Sequence, residues 1–247
     1  CSTSTPDVTC CLSSGPRGVA LIPTFAFSTD ADGVVINLYD AGTGKLTLRD
    51  GTAVSVATQT EFPSEGRVQI SVNPALKKDF AVKLRLPAWC QKYSAEVNGT
   101  KVNLKAGKDG YAAIQRIWAA GDTITLNFAF EPRVIIGEHS NRGKVALLYG
   151  PLVLAADEAL LADEAKNLAA VFIANPDLAA LDVKPEAAPD SVKTWPNAQV
   201  FRVKTQARKT GSPMEVRLIP FADAGGTGTR YKVWLPLPRQ SGGNLLL

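Results

Sequence analysis

Phe80-Ala81-Val82-Lys83-Leu84-Arg85-Leu86 alternates apolar and charged side chains. Val82, Leu84 and Leu86 fall on one face and Lys83 and Arg85 on the other. A period of two is the mark of a strand, and this version of it fits an antiparallel strand with one packed face and one wet face. Arg67-Val68-Gln69-Ile70-Ser71-Val72, just upstream, alternates in the same way.

Working outward from this pair, the same period recurs. Val34–Tyr39, Lys45–Leu48 and Ala53–Thr58 read as short strands separated by Gly or Asp. Downstream, Asn98-Gly99 stands between two extended arms, Ala95–Val97 and Thr100–Val102, a strong hairpin signal. Tyr111–Ile117 and Thr123–Phe128 follow, joined through Gly121-Asp122, and then Pro132–Ile136, Lys144–Tyr149 and Leu152–Ala155. The last strands expected are Gln199–Val203, Met214–Ile219 and Tyr231–Leu235. Many short strands at this spacing predict β-sandwiches.

Three stretches break the pattern. Ser13–Phe27 has partial helical spacing at Val19, Leu21, Ile22 and Phe25, with Ser13 or Ser14 as cap and Pro23 as a kink or stop. Asp157–Leu168 is rich in Ala, Leu and Glu and predicts a second helix. Asn175–Asn197 carries Pro176, Pro185, Pro189 and Pro196 and reads as an irregular connection.

Bulk properties set limits on function. The 247 residues carry 45% hydrophobic and 20% charged side chains, a globular balance with room for one large or two ordinary domains. The net charge of +4 is mild and the basic residues are scattered, which argues against a nucleic-acid partner. No apolar run reaches the ~18 residues of a membrane span, and no signal peptide is visible. The chain begins at Cys1 rather than Met, so a processed product or a fragment is expected, with a lipoprotein start left open. Cytoplasmic, periplasmic and secreted locations all remain open.

The four cysteines are Cys1, Cys10, Cys11 and Cys90, a spacing unlike a secreted disulfide framework. Adjacent thiols bridge each other poorly, so Cys10 and Cys11 suit a metal or a reactive thiolate better. A Cys1–Cys10 disulfide is the plainer alternative. Cys90 reads as a buried apolar residue. His139, the single histidine, precedes a Ser140–Gly143 loop and reads as a surface residue. Trp89, Trp118 and Trp234 sit in or beside strands, where packing is the simpler role than sugar stacking, and Trp195 is a fourth candidate stacker. Asp30, Asp32 and Asp40 flank turns without EF-hand spacing. Glu158 and Glu164 are read as solvated on a helix face, and Gly225–Gly228 lacks the lysine of a phosphate loop.

Several phrases in order resemble one family. They are Cys10-Cys11, Asp32-Gly33-Val34-Val35-Ile36-Asn37-Leu38-Tyr39, Leu84-Arg85-Leu86-Pro87-Ala88-Trp89 with Val97-Asn98-Gly99, Trp118-Ala119-Ala120-Gly121-Asp122-Thr123-Ile124, and Val145–Val153. Together they resemble the carboxy-terminal half of glycoside hydrolases of the β-L-arabinofuranosidase type. The resemblance is clearest from residue 10 to 155.

The resemblance implies an (α/α)6 barrel followed by β-sandwiches, with this chain holding the last barrel helix and the sandwiches. The expected architecture is thus mostly β: a barrel remnant at 1–30, a first β-sandwich at 31–142 and a second β-sandwich-like unit at 143–247. It also implies that Cys10 is a nucleophile and zinc ligand and Cys11 a zinc ligand, the mechanism being retaining. The family's other zinc ligands, a Glu and a Cys, and its acid/base Glu lie upstream in the barrel, which becomes the expected partner alongside a carbohydrate substrate. Where the family often continues its cysteine pair with Pro-Pro-Asn, this chain has Leu12-Ser13-Ser14. Two other readings stand beside this one. The first is a non-catalytic carbohydrate-binding or structural module, to be recognised by a strip of exposed aromatics. The second is a redox or metal-sensing thiol protein.

Overall fold

The structure, a computed structural model, describes residues 9–161, 168, 171, 173, 182–190, 192–193, 198–206, 213–226 and 228–237, with backbone alone for 9–13, 206 and 213. By its internal contacts the chain divides into two compact units, Cys1–Ala129 and Phe130–Leu247.

The first unit opens with helix α1, Thr9–Leu21, which runs into a 3-10 helix at Ile22–Phe25. The helix begins four residues before the expected Ser13. It gives way at Leu21 because Pro23 cannot continue an α-helical hydrogen-bond ladder but fits the first turn of the 3-10 segment. The chain is extended by Phe27, the residue expected to close the helix: β1 is Phe27–Thr29.

Nine further strands follow: β2 Gly33–Ile36, β3 Gly42–Thr47, β4 Ala53–Thr60, β5 Arg67–Pro74, β6 Lys78–Arg85, β7 Tyr93–Val97, β8 Thr100–Val102, β9 Tyr111–Trp118 and β10 Asp122–Phe128. They form two sheets, one ordered β1-β2-β6-β9 and the other β3-β4-β5-β10-β7-β8. Alternate residues supply the buried layer. Val54 and Val56, Val68, Ile70 and Val72, and Ile124, Leu126 and Phe128 come from the larger sheet. Val34, Ile36, Val82, Leu84, Ile114 and Trp118 come from the smaller. Two sheets with alternating buried faces make the expected β-sandwich.

One pairing differs from expectation. Strand β6 is antiparallel to β9 but parallel to β2, with Gly33 opposite Ala81 and Ile36 opposite Leu84. Between β2 and β6 the chain lays down β3, β4 and β5 in the other sheet, and that long crossover allows β6 to return in the same direction as β2. Side-chain alternation carries no information about the direction of a neighbour.

The second unit contains β11 Pro132–Ile136, β12 Lys144–Tyr149, β13 Leu152–Asp157, β14 Lys184–Ala187, β15 Gln199–Gln206, β16 Pro213–Pro220, β17 Tyr231–Lys232 and β18 Leu235–Pro236. The hydrogen-bonded order is β11-β12-β13-β16-β15-β14, with β17 added to β13 and β18 to β12. Its core gathers Val145, Leu147, Leu154, Ala156, Phe201, Val203, Val216, Leu218 and Leu235. The mostly β architecture with one short amino-terminal helix is as the sequence predicts.

Local expectations fail in three places here. The helix expected over Asp157–Leu168 is not formed at its start. Asp157 ends β13 opposite Tyr231, and Glu158–Leu160 make a single 3-10 turn. Residues 162–167 lie outside the described residues. The expected strand Tyr231–Leu235 is two short pieces, because Lys232 pairs with Ala156 and Leu235 with Val145. The proline-rich connection contains β14, which pairs only with β15 among the described residues and so tolerates Pro185 at an edge.

Candidate functional site

The backbone places Cys10 and Cys11 at the second and third residues of α1. The side chains of Cys10 and Cys11 are not described, and Cys1 lies outside the described residues. Two sulfur donors suit zinc chemically but fill only two positions of a site that takes four ligands, or three and a water. Among the described residues no three His, Cys, Asp or Glu side chains gather to hold a metal.

Beyond the cysteines, residues 14–25 are exposed. Val19 is 66% exposed, Leu21 55%, Ile22 51% and Phe25 62%. These are the residues whose helical spacing marked the segment in the sequence, and within this unit they bury little.

The segment joins the smaller sheet through Asn37. Its side-chain Nδ2 donates to the Phe25 carbonyl and to Ser28 Oγ, both at 3.0 Å. Its Oδ1 accepts from the Tyr111 hydroxyl at 2.7 Å. Its main-chain N–H donates to the Ala26 carbonyl at 2.9 Å, and its own carbonyl accepts from Arg85 Nε at 2.5 Å. Arg85 is thus half-buried in a structural role, and its carbonyl accepts from the buried Tyr39 hydroxyl at 2.6 Å. Burial pushes the Tyr39 hydroxyl well above its ordinary pKa, although Arg85 opposes this, so the phenol stays protonated as a donor.

The turn between β1 and β2 is held by charge. Lys83 Nζ lies 2.6 Å from both Asp30 and Asp32. Burial pushes the Asp30 carboxyl up, but hydrogen bonds from Lys83 and from the N–H groups of Asp32 and Gly33 outweigh it and hold it below its usual value. An ammonium group therefore occupies the place that calcium would need between these carboxylates. Asp40, the third aspartate of the sequence reading, accepts from the Ala41 N–H at 2.8 Å. A cleft of about 190 Å³ beside this turn is lined by Asp30, Asp32, Asp50, Lys78 and Asp79 among others. Within it Asp50 pairs with Lys78, whose hydrogen bond lowers the Asp50 pKa to about 2, and Asp79 accepts from Gln115 at 2.8 Å.

The remaining sequence candidates take structural or surface positions. Cys90 is buried, with its sulfur 3.1 Å from the Lys92 carbonyl oxygen. His139 is exposed at the start of a 3-10 turn. Trp118 is fully buried and donates its Nε1–H to the Phe80 carbonyl at 3.0 Å. Trp89 is half-buried against Phe128, Trp234 is half-buried, and Trp195 lies outside the described residues. Glu158 is not simply solvated: it pairs with Arg230 at 2.6 Å. Glu164 lies outside the described residues. Gly225 binds through its N–H to Asp157 at 2.8 Å, which makes that loop a structural one.

Sequence reasoning singled out the cysteine pair and missed the roles of Asn37 and Lys83. Both stand in or opposite the quoted Asp32–Tyr39 phrase. Their partners are nine to 74 residues away in sequence, so local patterning has no signal for them.

Residues 33–130 match the family model described as the middle domain of GH127 β-L-arabinofuranosidases. A comparison with curated proteins finds no match. Among solved structures, a GH127 β-L-arabinofuranosidase from Geobacillus stearothermophilus T6 is 27% identical and superposes with a TM-score of 0.76, over 93% of this chain and 38% of that one. A second GH127 β-arabinofuranosidase is 24% identical at a TM-score of 0.76, over 93% of this chain and 39% of that one. A protein described as a glycoside hydrolase shares 22% identity at a TM-score of 0.82, over 97% of this chain and 43% of that one. The chain thus spans about two fifths of the length of these relatives. The chain is GH127-like in fold across both units, and residues 33–130 are similar in sequence to the middle domain of that glycoside hydrolase family.

Proposed function

We propose that this chain is part of a retaining glycoside hydrolase of the β-L-arabinofuranosidase type, with Cys10 as nucleophile and Cys10 and Cys11 as two ligands of a zinc ion. The observation that carries the reading is the order of two features: a cysteine pair in α1, and directly after that segment a stretch that matches the GH127 middle-domain model. The remaining zinc ligands and the acid/base carboxyl belong to an upstream α/α barrel. Zinc would supply the means of keeping the thiol ionised at neutral pH.

In this reading the Cys10 thiolate attacks the anomeric carbon, forming a C–S bond as the C–O bond to the leaving group breaks. The barrel's acid gives its proton to the departing oxygen. Water then displaces the sulfur, losing a proton to the same group, and two inversions leave the configuration unchanged. The exposed Val19, Leu21, Ile22 and Phe25 support the barrel as partner, since together they offer an apolar face that this unit leaves uncovered.

The decisive experiment compares the chain with and without its upstream sequence for zinc content and for arabinose release from an aryl arabinofuranoside. Zinc near one per protein and loss of turnover in Cys10→Ser are expected for the longer protein. A zinc-free, active longer protein, or full activity in Cys10→Ser, overturns the mechanism.

A purely sugar-binding role for the described part draws less support. Of the four tryptophans the three described are buried or half-buried. The exposed pair Phe221–Tyr231 is tilted by 58°, which gives no flat platform for a sugar ring.

A further inference from the structure

We infer that Asn37 is the positioning residue that sets helix α1, and with it the cysteine pair, against the four-stranded sheet. The inference rests on the proposed role of Cys10, and it adds to that role a residue in neither the cysteine pair nor the upstream barrel.

The argument begins with what does not hold α1. Residues 14–25 are exposed, so the described part of the helix and the 3-10 turn gain their direction from little packing within this unit. Direction must therefore be imposed where the segment enters the sheet, at residues 25–28. Asn37 meets the chain there three times, through the Phe25 carbonyl, the Ala26 carbonyl and Ser28 Oγ. Leu38 N–H adds a second, longer bond to the Ala26 carbonyl at 3.3 Å. On its other side Asn37 is held by two residues of the neighbouring strands, Arg85 at the end of β6 and Tyr111 at the start of β9.

The orientation of the amide follows from its partners. The Phe25 carbonyl can only accept, so the NH₂ group must face it, which turns Oδ1 toward the Tyr111 hydroxyl. Both donor directions and the acceptor are then in use. No other side chain of this size offers two donors and an acceptor in one plane. Aspartate keeps the shape and the Tyr111 bond but turns a carboxylate oxygen onto the Phe25 carbonyl. Asn37→Asp therefore breaks the side-chain bond to the Phe25 carbonyl, while sparing the main-chain bond to Ala26 and the link to the sheet.

Two measurements test this. In the present chain, Asn37→Asp should raise hydrogen exchange at the amides of Ala26, Asn37 and Leu38 by at least about tenfold, with Val82 and Leu84 unchanged. In the enzyme carrying its upstream sequence, Asn37→Asp should lower kcat on an aryl arabinofuranoside by about tenfold or more with KM within about twofold, the signature of a misplaced nucleophile rather than of lost substrate binding. Tyr111→Phe, which leaves the amide–Phe25 bond in place, should keep the wild-type Tm and lose about threefold in kcat.

Unchanged exchange at Ala26, or a kcat within twofold of wild type in a longer enzyme that Cys10→Ser inactivates, overturns the positioning role alone. Full activity in Cys10→Ser instead overturns the nucleophile, and the exchange measurement still decides whether Asn37 holds the segment. If Asn37→Asp lowers Tm while kcat in the longer enzyme stays within twofold of wild type, the residue serves stability only and the inference fails.

Discussion

Gly33 shows how one residue conditions a sheet. It stands opposite Ala81 in the parallel β2–β6 pair, and a Cβ built on it would overlap the Ala81 carbonyl oxygen. Its φ of 155° is also one that L side chains rarely adopt. Replacing it with alanine must push β2 away from β6. Gly33→Ala is expected to destabilise the first unit by about 2–4 kcal/mol, read as a lowered urea midpoint with m unchanged.

Trp118 is the largest fully buried side chain of the same unit, and its indole N–H is satisfied by the Phe80 carbonyl. Trp118→Ala opens a cavity and removes that hydrogen bond, so a loss of about 3–5 kcal/mol is expected in the same measurement.

The Lys83 clamp has a pH signature. Asp30 has a depressed folded pKa, so its contribution is present above the ordinary value of 3.8 and is lost as pH falls through the lowered one. Hydrogen bonds to Asp30 and Asp32 raise the Lys83 pKa above its ordinary 10.5, so that side chain keeps its charge throughout the neutral range. Lys83→Met should therefore destabilise the protein at pH 7, by no more than about 1 kcal/mol because the carboxylates are solvated. The difference from wild type should shrink as the solution is acidified below the carboxylate range. A difference that persists at pH 2 would show that Lys83 acts through packing alone.

Among elements, the β7–β8 hairpin and the turn after β13 are held by different means. Asn98 and Gly99 both have positive φ, 50° and 77°, as a two-residue turn matched to the strand twist requires. Asn98 also binds Asp122 and the Thr123 N–H, tying the turn to β10.

After β13 the buried Asp157, 2% exposed, accepts from the Ala159 N–H at 2.9 Å, the Gly225 N–H at 2.8 Å and the Thr229 hydroxyl at 2.6 Å. It is the pin between β13 and the loop leading to β17. Asp157→Asn would turn an NH₂ group onto one of these donors, at an expected cost of about 1–3 kcal/mol. The first sign should be faster proteolytic cleavage within residues 221–230, with residues 27–128 still protected. Equal protection of both stretches in the variant would mean that the pin is dispensable. A helix was expected from the Ala, Leu and Glu content that begins at this residue. At its start it gives way because strand pairing to Tyr231 and these three hydrogen bonds outweigh a propensity worth tenths of a kcal/mol per residue.

For the molecule as a whole, the relation to GH127 enzymes rests on the first unit in sequence and on both units in fold. Its functional reading turns on the segment before β1, where residues 14–25 are exposed. If the proposed barrel covers that face, a longer protein should bury Val19, Leu21, Ile22 and Phe25. Leu21→Asp should then lower Tm in the longer protein and leave it nearly unchanged in the present chain. An equal loss in both would show that this face packs against something already within the chain.

Most strands were legible in the sequence because each depends on a local signal. Alternation in β5 and β6 decides which residues face the core, and Asn98-Gly99 decides where the chain reverses. The cysteine pair was legible as a candidate for the same reason, being two adjacent residues of distinctive chemistry. Other features belong to no local pattern. The parallel β2–β6 pair, the division of Tyr231–Leu235 between two neighbours, the Lys83 clamp and the Asn37 junction all join residues far apart in the chain. Hydrophobic burial selects a face of each strand from its own sequence. Which strand lies beside it, and which polar group meets which, depends on the packing of the whole unit, because hydrogen bonds at these junctions form only once distant strands have been brought within 3 Å of one another.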